Sequence, residues 1–238
     1  MSRILFQNSY IIILPSFPKA DMHRHPMLHL FYGSNGCVIT ANGERCSGKT
    51  IVLDSNIKHI AESGNGCELF LLIDPTSSIA EQMKSTFFSS GQFFANCGSS
   101  VSFPYDLYHL SDDDIITLVR ELLLTIGIKP DEESRKDSRV EEVNEHIISG
   151  EWLNYKINEI AQLVCLSETR LTHLFKREMG ISLKSYLVIR KMERAYKYVM
   201  SGEKIIHAAY EAGFSSAAHL AYTCKQLTGV SIREVLKS

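Results

Sequence analysis

Apolar and polar residues change rhythm near residue 75 of this chain. Before it, short apolar runs are separated by turn material. Tyr10–Leu14 and residues 28–32, 37–41, 50–53 and 68–73 read as strands. Gly33-Ser34-Asn35-Gly36, Asn42-Gly43, Ser47-Gly48 and Ser63-Gly64-Asn65-Gly66 read as the turns between them. Asn42-Gly43 suits a two-residue hairpin, because both residues tolerate positive φ. Several short strands with regular turns predict a barrel or jelly roll.

Residues 81–108 are rich in aromatics and poorly periodic. Phe87, Phe88, Phe93, Phe94, Phe103, Tyr105 and Tyr108 are expected to pack helices onto the barrel. A clear helix follows. Ser111 and Asp114 have the spacing of a capping box, and three acids sit where the helix dipole favours them. Ile115, Leu118, Val119, Leu122, Leu123 and Ile126 form a wide apolar stripe, stopped by Gly127. That stripe can dock on the barrel or form a seam between two copies, and the pattern leaves both open. Residues 129–138 are charged and carry one proline, as a linker does.

The rest of the chain, 139–238, is helical in period and contains an internal repeat. Residues 160–180 and 207–229 each read as a short helix, a tight turn, a capping serine and a second helix. Aligned on Ser167 and Ser215, Ile160-Ala161 answers Ala208-Ala209 and Leu171 answers His219. Lys176 answers Lys225, Gly180 answers Gly229, and Ser182 answers Ser231. Ala161 and Ala209 are small enough for a second helix to cross closely. The turn then needs a left-handed residue, which Gly213 supplies without Cβ strain. The matching residue in the first unit is Cys165, at a cost of about 1 kcal/mol. Leu171, Leu174 and Phe175 should face the core, leaving Thr169, Thr172, His173 and Lys176 outside. Between the units, Tyr186, Leu187, Ile189, Met192, Ala195, Tyr196 and Val199 predict one helix, ended by Gly202. About 19 residues of helix span roughly 28 Å. Successive major-groove windows on one face of B-DNA are about 34 Å apart. A rod of this length can hold two reading helices in adjacent grooves.

Composition sharpens this division. The chain has 238 residues, 45% apolar and 22% charged, as a soluble globular protein does. Its net charge of −2 hides an asymmetry. Residues 1–135 hold 10 Lys and Arg against 15 Asp and Glu; residues 136–238 hold 15 against 12. A basic half joined to an acidic half fits a nucleic-acid module fused to a second function. Six cysteines without a C-x-x-C pair, and no signal peptide, point to a reduced, cytoplasmic protein. No apolar run is long enough to span a membrane.

The C-terminal segment resembles the DNA-binding domain of the AraC/XylS family of bacterial transcription regulators. The resemblance is carried by I-A-x3-C-L-S-x3-L-x2-L-F-K-x3-G-x-S from Ile160 and R-K-M-x2-A from Arg190. It continues with I-x2-A-A-x3-G-F-S-S from Ile206 and G-V-S from Gly229. It implies base contacts from Thr169, Thr172 and His173 in the first unit, and from Ala217, Ala218, Ala221 and Tyr222 in the second. Three of the latter are alanine, and Cys224 replaces a common Phe. Alanine cannot hydrogen-bond a base edge, though its methyl can touch thymine. The first unit is therefore expected to carry most discrimination. Lys176, Arg190, Arg194 and Lys225 are the expected phosphate contacts. Double-stranded DNA, a second copy of the chain, a small-molecule effector and RNA polymerase are the partners the family implies.

The N-terminal part resembles the cupin barrel that many such regulators place first. The stretches are His23 to Gly36, Gly48 to His59, and Leu71 to Ser77. The first matches H-x-H-x3-E-x6-G, with His29 where Glu usually stands. Strand alternation puts His23, His25 and His29 on one face, and His59 joins from a neighbouring strand. Converging imidazoles can hold a divalent metal such as Zn, Fe, Ni or Cu, line an effector pocket, or serve structure alone.

The expectation is an α+β chain. It has a cupin-like barrel or jelly roll (1–80), a helical dimerisation segment (81–128), a linker (129–138) and an all-α domain with two helix-turn-helix units (139–238). It should act as a sequence-specific, effector-responsive transcription regulator and not as an enzyme. Two alternatives stand beside it: a metal-dependent cupin enzyme fused to a DNA-binding domain, and an adaptor derived from a regulator.

Overall fold

The computed structural model describes residues 3–14, 22–61, 66–89, 91–97, 107–130, 137–228 and 232. The expected turn at 63–65, Phe103, Tyr105, residues 131–136 of the linker, and Gly229 and Ser231 of the second repeat lie outside the described residues. The chain divides into two compact units: residues 1–75 with 79–130 and 224–238, and residues 76–78 with 131–223.

The first unit is built on an antiparallel sheet of seven strands. They are β1 (Arg3–Phe6), β2 (Tyr10–Leu14), β3 (Leu28–Ala41), β4 (Glu44–Leu53), β5 (His59–Ala61), β6 (Leu69–Ile73) and β7 (Phe94–Cys97). The order is β1-β2-β6-β3-β4-β7, with β5 beside the far half of β3. Asn42 and Gly43, both at positive φ, join β3 to β4 as expected.

Several features differ from the sequence pattern: Ser47-Gly48, expected to be a turn, lies inside β4 and pairs with Val38 and Cys37. Residues 28–32 and 37–41 are one strand, and 33–36 is a register shift inside it. Gly33 and Gly36 make this possible. A Cβ on Gly33 would strike the Gly66 carbonyl, and Gly36 sits at φ 90. Before the shift β3 lies between β4 and β6; beyond it, between β4 and β5. A further difference is β7, which arises inside the aromatic stretch expected to be helical and pairs with β4.

Alternation along β3 gives the sheet two faces with different covers. Leu28, Leu30 and Tyr32 join Ile12, Leu14, Val52, Leu71 and Ile73 on one face. Two helices cover it, α1 (Ser78–Phe87) and α2 (Asp112–Thr125), through Ile79, Met83, Ile115, Val119, Leu122 and Leu123. Each such buried side chain contributes about 1.5–3 kcal/mol. The α2 stripe is therefore spent on this sheet. The Ser111–Asp114 capping box is present, with Asp114 N donating to Ser111 Oγ at 3.1 Å. Phe31, Ile39, Ile51, Leu53, Phe93 and Phe94 pack on the opposite face. Phe93 and Phe94 thus line the sheet's other side from Phe88, which joins the helices.

The remaining helices are α3 (Ser138–Ser149), α4 (Ile157–Leu163), α5 (Glu168–Met179), α6 (Leu183–Met200), α7 (Ile205–Glu211) and α8 (Ala217–Thr228). The predicted rod is α6, 18 residues long, hence about 27 Å. It buries Leu183, Tyr186, Leu187, Ile189, Met192, Ala195 and Val199. Ser182 caps its start, and the Tyr186 hydroxyl donates to Asn144 of α3 at 2.6 Å. Among the described residues no helix is long and apolar enough to cross a membrane.

Candidate nucleic-acid interface and histidine cluster

Each helix-turn-helix unit is made by a left-handed residue followed by a capping serine. Cys165 has φ 55 and Gly213 has φ 78, the two positions the repeat assigned to the turn. Ser167 caps α5, its hydroxyl accepting from Arg170 N at 3.2 Å. Ala161 and Ala209 are buried as the small crossing residues.

The second unit departs from the expected alignment by one residue. Its first helix lies 48 residues after that of the first unit, 157–163 against 205–211. Its second helix lies 49 residues after, 168–179 against 217–228. The extra residue sits in the turn. The cap of α8 is Ser216, whose hydroxyl accepts from His219 N at 3.0 Å. Ser215, expected to be the cap, instead meets His219 Nδ1 through its hydroxyl at 3.0 Å. Leu171 is therefore answered by Leu220, both fully buried, and not by His219. Two adjacent serines hid this shift, since either one can cap a helix.

Counted from their caps, α5 and α8 present matching residues. The second, fifth, sixth and ninth helical positions are Thr169, Thr172, His173 and Lys176 in α5. They are Ala218, Ala221, Tyr222 and Lys225 in α8. Thr169, His173 and Lys176 are exposed, and so are Ala218, Tyr222 and Lys225, while Thr172 and Ala221 are half-buried. Ala217 is the first residue of α8 and matches Glu168, one turn position away from the reading set.

The basic residues of α6 behave differently from the expectation. The side chain of Arg190 is only 11% exposed; its guanidinium lies 2.7 Å from Glu193 and over the Tyr186 ring at 5.2 Å. Arg194 lies over Tyr198 at 5.8 Å and packs where a Cβ on Gly150 would stand. Lys191 donates to the Gly213 carbonyl at 3.1 Å, and burial lowers its ammonium below the ordinary value. Lys197 pairs with Glu193 at 2.8 Å. Arg190 is thus both paired and stacked, and Arg194 is stacked on Tyr198, so both side chains take part in the packing of this domain. Sequence periodicity marked both as basic but could not show their partners.

The four histidines of the first unit do converge. Ring centroids of His23 and His59 are 4.5 Å apart, His25 and His29 4.6 Å, and His29 and His59 4.3 Å. His23 and His59 also form a backbone bridge, each amide donating to the other's carbonyl, at 3.0 and 2.8 Å. The nitrogens of His23, His25 and His59 all lie within 4.8 Å of one another. His29 is outside that closest set and stacks on Phe31 at 5.1 Å. Burial, then the neighbouring His59 and His23, pushes His25 down to about 3. His59 is pushed down to about 4 by burial, against the opposing pull of the Ile57 carbonyl. Burial and the other three imidazoles hold His29 well below its ordinary value. His25, His29 and His59 are therefore neutral near pH 7.

Two capped helix-turn-helix units on one connecting helix give the C-terminal part a tandem helix-turn-helix architecture. Residues 160–238 match the family model described as a helix-turn-helix domain. The arabinose operon regulatory protein of Escherichia coli K12 is 28% identical over 127 residues, half of this chain and 42% of that protein. The transcriptional regulator ArgR of Pseudomonas aeruginosa is 33% identical over 78 residues, 32% of this chain and 24% of that one. The chain is therefore similar, through a helix-turn-helix domain, to known transcriptional regulators. It spans less than half the length of these curated relatives. The crystal structure of ToxT from Vibrio cholerae O395 aligns over 98% of this chain and 97% of its own, at 13% identity and TM-score 0.49.

Proposed function

We propose that the chain is a sequence-specific DNA-binding transcription regulator whose N-terminal sheet domain senses an effector. The observation that carries this is the match between α5 and α8. Both are capped by serine, and both present exposed residues at the same helical positions beyond a left-handed turn. Thr169, Thr172 and His173 read bases in one major groove. Tyr222, with the methyls of Ala218 and Ala221, meets the next, and Lys176 and Lys225 hold the backbone. The cytoplasm is its proposed location, in keeping with six cysteines that include no C-x-x-C pair. The family supports two further partners, a second copy of the chain and RNA polymerase. Since α2 is spent on the sheet, a dimer needs a surface other than its apolar stripe. Mass by light scattering checks that partner.

Selection of bound sites from a random duplex pool tests the DNA reading. The 238-residue chain should enrich two blocks spaced by about one helical turn, roughly 10.5 base pairs. His173→Ala should weaken binding to the selected site by about 1–3 kcal/mol while leaving scrambled DNA unchanged at the same salt. Equal weakening on both would show that His173 does not read bases.

A further inference from the structure

We propose that a cleft between α3 and the second half of α6 binds a small organic carboxylate with an apolar body. The cleft has a volume of about 460 Å³ and is lined by the helical unit alone. Sites for small molecules run from about 300 to 1,000 Å³. Ile147 and Ile148 of α3, with Leu153 just beyond that helix, give the cleft an apolar side. Helix α6 adds Arg190, Glu193, Arg194, Lys197 and Tyr198.

Charge in the cleft is unbalanced. Glu193 uses both carboxylate oxygens, Oε2 at 2.7 Å from Arg190 Nη1 and Oε1 at 2.8 Å from Lys197 Nζ. One carboxylate thus serves two cations, and Arg194 is a third. Among the described residues Arg194 makes no ion pair and no hydrogen bond, and its Nε is buried without an acceptor. A buried donor left without an acceptor is costly. The Tyr198 ring, 5.8 Å from the guanidinium carbon, takes the face of the group. The edge, where all five N–H bonds point, stays open to an acceptor. Backbone shape makes room for this side chain. A Cβ on Gly150, the left-handed residue that ends α3, would collide with Arg194 Nη1. The negative end of α3 therefore holds the guanidinium in place, yet none of its carbonyls accepts a hydrogen bond from it.

The lining selects the ligand. A guanidinium edge matches a carboxylate through two parallel hydrogen bonds. Ile147, Ile148 and Leu153 offer nothing to a bare hydrated anion, but they suit a compact hydrocarbon body attached to the carboxylate. Ile148 is 62% exposed, and such a body would cover it. Binding here is independent of what α5 and α8 read, so it stands or falls apart from the DNA reading above.

The test titrates the 238-residue protein with cyclohexanecarboxylate, followed by calorimetry and by amide shifts in NMR spectra. Saturable binding of one molecule per chain is expected, with a dissociation constant of about 1 mM or below. Cyclohexanecarboxamide keeps the body and lacks the charge; inorganic phosphate keeps a charge and lacks the body. Each should bind at least about ten-fold more weakly. Arg194→Gln should weaken cyclohexanecarboxylate binding by about ten-fold or more. Ile148→Glu, at an exposed position, should weaken it by about five-fold or more through a like charge. Lys49→Gln, on β4, should leave it unchanged. Circular dichroism reports whether the variants fold; if Arg194→Gln does not, Ile148→Glu and the two comparison ligands decide. Absence of saturable binding at about 10 mM cyclohexanecarboxylate overturns the site. Equal affinity for the carboxamide or for phosphate overturns it too, as does unchanged affinity in folded Arg194→Gln or Ile148→Glu.

Discussion

At the scale of single residues, the turn of the first unit carries a measurable strain. Cys165 holds φ 55, where a Cβ is disfavoured, and Gly213 holds the equivalent place at φ 78. Cys165→Gly removes the Cβ clash but adds freedom to the unfolded chain, so the net gain should be at most about 1 kcal/mol. Gly213→Ala should cost about 1–2 kcal/mol, because alanine brings a Cβ into the left-handed region. The new Cβ would also displace the Asn154 side chain. Urea midpoints of the two variants should move in opposite directions. Cys165 was legible as the turn residue because the rest of its motif stands around it. Arg190 and Arg194 were not legible, since a charge pattern shows sign and spacing but not whether Glu193, Tyr186 or Tyr198 has already taken the guanidinium.

At the scale of elements, a one-residue insertion in the second turn sets which side chains α8 presents. If Ser216 is the cap, Ser216→Ala should destabilise by about 1 kcal/mol. Ser215→Ala, which loses only an exposed contact to His219, should cost within about 0.5 kcal/mol. Leu220→Ala should cost about 2–5 kcal/mol as a core truncation, and His219→Ala far less. Thermal or urea unfolding of the four variants checks the order; the reverse order within either pair would restore the alignment on Ser215. The α2 stripe makes a related point. Its periodicity established an amphipathic helix with a capping box, but period alone is blind to what the apolar face covers. Packing assigned it to the sheet.

At the scale of the whole molecule, DNA binding should depend on few phosphate contacts. With Arg190 and Arg194 engaged in packing, Lys176 and Lys225 remain as the exposed lysines of the two reading helices. Each contact contributes a slope of about −0.9 to log K against log salt. Lys176→Ala and Lys225→Ala should each make the slope shallower by about 1 and weaken selected and scrambled DNA alike. Arg194→Ala should leave the slope unchanged and lower stability through lost packing. Fluorescence anisotropy across a salt series separates the two behaviours.

The sequence by itself determined the two-part plan, the tandem helix-turn-helix units, the connecting helix, the left-handed turn positions and the histidines that gather beside one another. These are local or repeated signals: helix period, strand alternation, capping pairs and glycine placement all act within a few residues. Only the tertiary structure decided that residues 28–41 are one strand with a register shift, that 94–97 pairs as β7, that Ser216 and not Ser215 caps α8, and that Glu193 pairs with Arg190. Each of these depends on a partner distant in the chain or on a choice between nearby residues of equal propensity. Local pattern gives no energy difference in such cases, and packing supplies it.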